Sequence, residues 1–297
     1  MTTGPPVVTR DLAKHFGPVR AVDGIDLQLI EGEIFGFLGP NGAGKTTTIR
    51  VLLDFVRPTR GEARVLGRDP SDAAIRRRIG YLPAEFLVDP RYTGTDVFEF
   101  FGALRGGHDR AWTAQLTDRF GLDPSRPMRE LSTGNRRKVG LVQAFMHRPE
   151  LLVLDEPTAG LDPLLQHEFH RLAREVTAEG ATVFLSSHDL PEVEVLADRV
   201  GIIRIGKLIA VATVDELRRQ ARQRLEISFT SPVDPSEFGA LAGVSDVVAT
   251  GATVQLTVEG SVDPVIKAAA RHEVARIVSR EADLEEVFLE FYGETEP

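Results

Sequence analysis

The chain is 297 residues long (32.6 kDa), 42% hydrophobic and 27% charged, with 35 basic and 44 acidic side chains for a net charge of −9, and no cysteine. That composition suits a folded protein of one large domain or two unequal ones, and it excludes disorder, collagen, disulfides, thiolate zinc sites and cysteine nucleophiles. The longest stretch without Lys, Arg, Asp or Glu runs from Val247 to Val258, short of the ~20 apolar positions that span a bilayer. Residues 1–10 lack a basic start followed by an apolar run, so a cytoplasmic location is expected.

In chain order, the first clear element is Ile34 to Leu38, a short apolar run bounded by Glu33 and Gly39 that reads as a buried strand. Directly after it, Gly39-Pro40-Asn41-Gly42-Ala43-Gly44-Lys45-Thr46-Thr47 matches G-x-x-x-x-G-K-[ST], and a helical pattern follows over Lys45 to Asp54. Strand, glycine loop and helix are what a phosphate needs: the glycines let backbone N–H groups curl round it, and the helix N-terminus adds positive potential. Lys45 is expected on the β- and γ-phosphates and the Thr46 hydroxyl on Mg²⁺. Roughly residues 85–145 read as a mostly helical insertion, with Val97, Phe98, Phe100, Phe101 and Leu104 on one helix face.

Near the end of that insertion Leu131-Ser132-Thr133-Gly134 precedes the helical stretch Arg136 to His147, and Ser132 can serve there as an N-cap. Leu151 to Leu154 is a second buried strand, ending on Asp155 and Glu156. Adjacent carboxylates at the end of a buried strand are costly unless a cation neutralises one. Asp155 suits a Mg²⁺ shell, and Glu156 can orient or deprotonate an attacking water. Pro163 to Glu179 is helical, Thr182 to Leu185 is a third strand, and His188 follows it, in reach of a terminal phosphate if the three strand ends lie together. These alternating elements predict a helix-flanked α/β sheet with the three strands central and parallel.

The charge changes after residue 218. Residues 1–218 hold 28 basic and 30 acidic side chains, whereas residues 219–297 hold 7 and 14. The expected domains are therefore 1–218 and 219–297. In the second, Leu225 to Thr230, Pro235 to Leu241, Val244 to Ala249, Thr253 to Val258, Pro264 to His272 and Val274 to Ser279 read β-α-β-β-α-β, which predicts a small ferredoxin-like α+β domain. A last helix is expected over Asp283 to Phe291, with Leu284, Val287, Phe288 and Phe291 on one face. Neither part is basic, so nucleic acid is not an expected partner.

The phosphate loop, Leu131-Ser132-Thr133-Gly134-Asn135, the Asp155-Glu156 strand end, Gly160-Leu161-Asp162-Pro163 and His188 together resemble, in order and spacing, the ATP-binding cassette (ABC) ATPases over about residues 7–215. The resemblance implies a P-loop NTPase cassette with a helical insertion, binding ATP and Mg²⁺. It implies that residues 39–47 hold the nucleotide, that Phe16 takes the place of the aromatic that stacks on adenine, and that Glu156 and His188 serve hydrolysis. It further implies that Ser132 and the Gly134 N–H contact the γ-phosphate of ATP bound by a second cassette, with Asp162 at the seam. A second copy, or a paired cassette, then completes each site.

Three positions depart from the family pattern. The signature, usually L-S-G-G-Q, carries Thr133 and Asn135; the glutamine generally found after Ile79-Gly80-Tyr81-Leu82-Pro83 is Ala84; and the stacking aromatic, often tyrosine, is Phe16. Because Ala84 can ligate nothing, either Glu85 substitutes or the metal takes another water, and hydrolysis is expected to be slower or differently coupled. The insertion is the part that in the family grips a multispanning membrane permease, with Tyr92, Phe98, Phe100 and Phe101 as candidate contacts. The loop Gly36 to Thr48 and the tail Asp283-Leu284-Glu285-Glu286-Val287-Phe288-Leu289 resemble exporter-type subunits linked to drug and antibiotic self-resistance. The expected function is thus ATP-driven export through a separate membrane subunit, from the inner face of the membrane. The alternative is a soluble ABC ATPase acting on ribosomes or DNA; such proteins tend to carry coiled-coil inserts, zinc-binding cysteines or two cassettes per chain, and none of these is present.

Overall fold

Residues 4–220 and 223–280 are described in a computed structural model of the chain. The helix expected over Asp283 to Phe291, and the tail segment that resembles exporter subunits, lie outside the described residues. The chain divides into two units, Met1–Val211 and Ala212–Pro297. The sequence expectation put the division after Arg218, in the middle of the helix Val214–Gln220; that helix instead belongs whole to the second unit.

The first unit begins with three strands not read from the sequence, β1 (Val7–Phe16), β2 (Val19–Gln28) and β4 (Arg60–Val65), which form an antiparallel sheet in the order β2-β1-β4. Their alternation is broken by irregularities in the register around Thr9, Leu12 and Lys14, so no clean period-2 signal survives in the sequence. The second sheet is built from β3 (Ile34–Leu38), β5 (Ile79–Leu82), β6 (Leu151–Asp155), β7 (Thr182–Ser187), β8 (Arg199–Arg204) and β9 (Lys207–Thr213), in the order β5-β6-β7-β3-β8-β9. The pairings β5-β6, β6-β7, β7-β3 and β3-β8 are parallel. Every residue of β3, β6 and β7 is buried, as expected of parallel strands covered on both faces. Their C-terminal ends, Leu38, Asp155 and Ser187, are brought side by side by the registers Leu38↔Ser187 and Asp155↔Ser186.

Helix α1 (Lys45–Leu52) follows the glycine loop. Between β5 and β6 lie α2 (Gly94–Arg105), α3 (Arg110–Arg119), a 3₁₀ turn at Met128–Glu130 and α4 (Thr133–Phe145). Helix α2 opens on a capping box of Thr93 and Asp96 and closes on Gly106 at φ 91°. Its apolar residues split: Val97 and Phe98 are buried, whereas Phe100 and Leu104 are exposed. Phe98 is therefore a core residue and drops out of the expected partner contacts. Helix α5 (Pro163–Ala178) starts with Asp162 as N-cap and Pro163 in its first turn, and α6 (Leu190–Leu196) follows β7.

The second unit contains α7 (Val214–Gln220), β10 (Gln223–Phe229), α8 (Ser236–Gly239), β11 (Val244–Thr250), β12 (Thr253–Val258), α9 (Asp263–Ala269) and β13 (Val274–Arg280). The four strands are antiparallel neighbours in the order β11-β12-β10-β13, the arrangement of a ferredoxin-like sandwich. Leu225, Ile227, Phe229, Leu256, Phe238 and Val265 share its core.

Candidate active site

The loop between β3 and α1 is shaped by backbone that only glycine adopts without cost. Gly42 and Gly44 have φ of 82° and 114°, and a Cβ on Gly44 would lie 2.4 Å from the Ala21 carbonyl oxygen. Gly44 is also the N-cap of α1, so the first N–H groups of that helix face the loop. The Gly206 N–H donates to the Ala43 carbonyl at 2.8 Å, fixing the loop from the turn after β8. Lys45 is buried and its Nζ bends back over the loop, donating to Gly39 O at 2.5 Å and Pro40 O at 3.3 Å. The same ammonium lies 3.4 Å from Glu156 Oε1.

Three strand ends supply the polar groups opposite. The Thr46 hydroxyl donates to Asp155 Oδ2 at 2.9 Å, and the Ser186 hydroxyl donates to Asp155 Oδ1. Asp155 is fully buried at the end of β6. The next residue, Glu156, has φ 51°, a left-handed backbone costing a non-glycine residue about 1–3 kcal/mol. Its N–H donates to the Ser186 carbonyl at 3.1 Å, and its Oε2 lies 2.8 Å from His188 Nδ1. Lys45, Thr46, Asp155, Glu156 and His188 are thereby brought into one constellation, with Lys45 and His188 on opposite oxygens of one carboxylate.

A Mg²⁺ ion fits these groups. It favours oxygen ligands, and it usually takes one or two carboxylates and leaves its remaining positions to phosphates and water. A hydroxyl and a carboxylate already 2.9 Å apart, beside the glycine loop, are such a donor set. No cluster of three or more His, Cys, Asp or Glu able to hold a metal occurs among the described residues.

The remaining expected residues stand apart from this constellation in the single chain. Ser132 is the N-cap of α4 and accepts from Asn135 N at 3.2 Å; the capping role uses an oxygen lone pair and leaves its proton available to another acceptor. A Cβ on Gly134 would come within 3.1 Å of the Gly160 carbonyl, so the signature and the loop after β6 touch within one chain. Asp162 caps α5, accepting from Leu165 N at 3.1 Å. Phe16, at the end of β1, is 48% exposed, with Lys14 Nζ 5.0 Å from its ring centroid. Asn41 and the Ala84 side chain are exposed, and Thr47 is half-buried.

The sequence reading missed two charged residues beside the site, Arg137, which is buried, and Glu192, which is half-buried. Arg137, in α4, is 5% exposed and reaches backbone carbonyls of the loop after β5 and of the end of β6. Its spacing to Leu141 and Ala144, four and seven positions on, places it on the buried face of the helix and could have flagged it. Burial pulls its guanidinium down to about 10, against the opposing pull of Asp155 and Glu156. Glu192, in α6, accepts from Thr158 Oγ1 and Ser187 Oγ, each at 2.6 Å, joining the segment after Glu156 to the segment before His188. Burial raises its carboxyl above the usual range, and the neighbouring Glu156 and Asp189 charges add to the rise.

The sequence model of the ABC transporter family matches residues 22–159. The chain is 40% identical over 219 residues to the daunorubicin/doxorubicin resistance ATP-binding protein DrrA of Streptomyces peucetius, an alignment covering 71% of this chain and 66% of that one. It is 36% identical over 229 residues to the bacitracin transport ATP-binding protein BcrA of Bacillus licheniformis, covering 75% of each. Among solved structures, an ATP-binding subunit of an ABC transporter matches with a TM-score of 0.67 at 29% identity, over 72% of this chain and 92% of that one.

Proposed function

This chain belongs to the ABC transporter family and is an ATP-hydrolysing cassette, and we propose that it powers a separate multispanning membrane subunit that exports a drug, antibiotic or lipid-like compound. The observation that carries this reading is the joining of Lys45, Thr46, Asp155, Glu156 and His188 at the ends of three adjacent strands. The export reading is supported by relatives named for daunorubicin/doxorubicin resistance and bacitracin transport.

In this reading residues 39–47 cradle the phosphates and Phe16 stacks on the adenine. Thr46 and Asp155 hold Mg²⁺, which when bound neutralises phosphate charge. Glu156 positions and deprotonates the attacking water, and His188 holds the Glu156 carboxylate in place and contacts the γ-phosphate. Ser132 and Gly134 complete the site of a second copy, with Asp162 at the seam. ATP then favours the closed pair over the open one, and hydrolysis releases it.

The cassette docks on the inner face of the membrane through its helical insertion. No helix among the described residues is long and apolar enough to cross a membrane, and in this reading the partner supplies the path for cargo. Phe55, Tyr81, Phe101 and Leu104, with Arg76 and Arg77, line a groove where α2 approaches the strand β5, and Phe55 and Leu104 are each at least 60% exposed. Apolar floor and cationic rim suit an amphipathic cytoplasmic helix of the membrane subunit bearing an acidic residue. Affinity purification of the full chain from membranes tests the reading. Recovery of a protein with about six apolar segments, lost on Leu104→Asp, is expected; recovery with ribosomes or DNA instead would overturn it.

A further inference from the structure

Arg137 makes an unusual set of contacts for a buried cation. Its Nε donates to Pro157 O at 3.4 Å, Nη1 to Pro83 O at 2.6 Å and Ala84 O at 2.8 Å, and Nη2 to Asp155 O at 2.6 Å and to Glu156 O. A guanidinium carries five N–H donors in a fixed plane, and here all five end on backbone carbonyls. Leaving any of them unmet at 5% exposure would be costly. The carbonyls come from two separate segments: one is the loop after β5, with Pro83 and Ala84, and the other is the end of β6 and the loop after it, with Asp155, Glu156 and Pro157. The cation itself rides on α4, the helix that Ser132 and the signature begin.

Glu156 shows what this clamp does. Its backbone is left-handed, with φ of 51°, its carbonyl accepts from Arg137, and its side chain points to Lys45 and His188. Its N–H is held by the Ser186 carbonyl at 3.1 Å and its carbonyl also accepts from Ala159 N–H at 3.2 Å; Arg137 adds a charged donor to that carbonyl and ties this left-handed turn to α4. At Ala84, where a side-chain ligand would be expected, the loop is held by its carbonyl instead.

We propose that Arg137 is a positioning residue for hydrolysis, tying the signature helix to the Glu156 carboxylate and the Ala84 loop of the same chain. A displacement of α4 as its signature meets the nucleotide of a second cassette is thereby transmitted to the chain's own carboxylate. The inference rests on the reading of Glu156 as the group that activates water.

The test compares full-length Arg137→Lys and Arg137→Gln with the unchanged chain, measuring phosphate release per ATP-binding site so that misfolded protein is not counted. Neither replacement can span both segments as the planar fork does. The expected result is KM for ATP within about threefold and kcat per site lowered about 10- to 100-fold, the scale of a displacement of about 1 Å at a reacting group. Added to Glu156→Gln, Arg137→Lys should lower kcat no further, because both act through one carboxylate. A merely structural residue would lower the number of binding sites, leaving turnover per site unchanged. Unchanged kcat per site, a rise in KM that accounts for the whole loss, additive effects with Glu156→Gln, or failure of both variants to fold would each overturn the proposal. Glu156→Gln alone separates the two layers: if it leaves hydrolysis intact, the reading of Glu156 fails, whereas if it stops hydrolysis and the Arg137 variants do not, only this inference fails.

Discussion

The Glu156 carboxylate is held between two nitrogen side chains: its Oε2 lies 2.8 Å from His188 Nδ1 and its Oε1 3.4 Å from Lys45 Nζ. Both contacts orient the carboxylate, which as the general base accepts a proton from water. Glu156→Gln keeps the shape but removes the acceptor for that proton. It is expected to lower ATP turnover at least about 100-fold, the usual scale for a general base, while ATP affinity stays within a few-fold. His188→Ala should lower kcat by a smaller factor, since Lys45 still orients the other oxygen. Phosphate release paired with nucleotide-binding titration checks both; equal loss of binding and turnover would argue for a structural role.

Thr46 and Asp155 meet at 2.9 Å with Asp155 fully buried. Removing the charge by Asp155→Asn should weaken Mg²⁺-dependent ATP binding and reduce hydrolysis at saturating ATP by about 10- to 1,000-fold. Chelation of Mg²⁺ should produce the same loss in the unchanged chain and almost none beyond that in the variant. Magnesium titration of hydrolysis reads the difference. A variant with an unaltered magnesium midpoint would remove Asp155 from the metal shell.

Ala84 points outward and lends only its carbonyl to Arg137. A longer side chain there meets no buried wall, so Ala84→Gln should fold normally and supply the missing ligand. The expected gain is a several-fold higher hydrolysis rate at low Mg²⁺, shrinking as Mg²⁺ saturates. Steady-state ATPase assays across a magnesium series test it, and an unchanged rate throughout would mean that Glu85 or a water already fills the role.

The parts of this arrangement readable from sequence are those set by contiguous residues. Ile34 to Leu38 followed by Gly39 to Thr47 specifies strand, loop and helix locally, and the structure has β3 and α1 there. The β-α-β-β-α-β order of the second unit was legible for the same reason, with turn residues such as Gly251 marking its hairpin. Arg137 was not legible as a clamp, because its five acceptors are backbone carbonyls of residues up to 54 positions away, and a carbonyl leaves no trace in residue identity. The bulged sheet of β1, β2 and β4 was hidden by its register shifts. Phe98 and Phe100 looked equivalent on a helix face, but only packing against the rest of the unit separates the buried ring from the exposed one.

His147, just past the end of α4, carries a pH dependence whose sign follows from its surroundings. Its Nε2 lies 3.1 Å from the Ile79 carbonyl, and its Nδ1 is buried without a hydrogen-bond partner. Burial, reinforced by the Arg105 charge and opposed by the Ile79 contact, pushes its pKa down to about 4. In the unfolded chain the imidazole titrates near 6.5. Between these values the unfolded state binds the extra proton, so this contribution to stability is complete above about pH 6.5 and is lost as the pH falls toward 4. The loss is at most about 3 kcal/mol, at no more than about 1.4 kcal/mol per pH unit. His147→Gln retains a donor for Ile79 and cannot titrate in this range. Denaturation midpoints of the two proteins should therefore converge or cross as the pH falls from 7 to 4.5, with the unchanged chain losing more. Parallel pH profiles would show that His147 keeps an ordinary pKa in the fold.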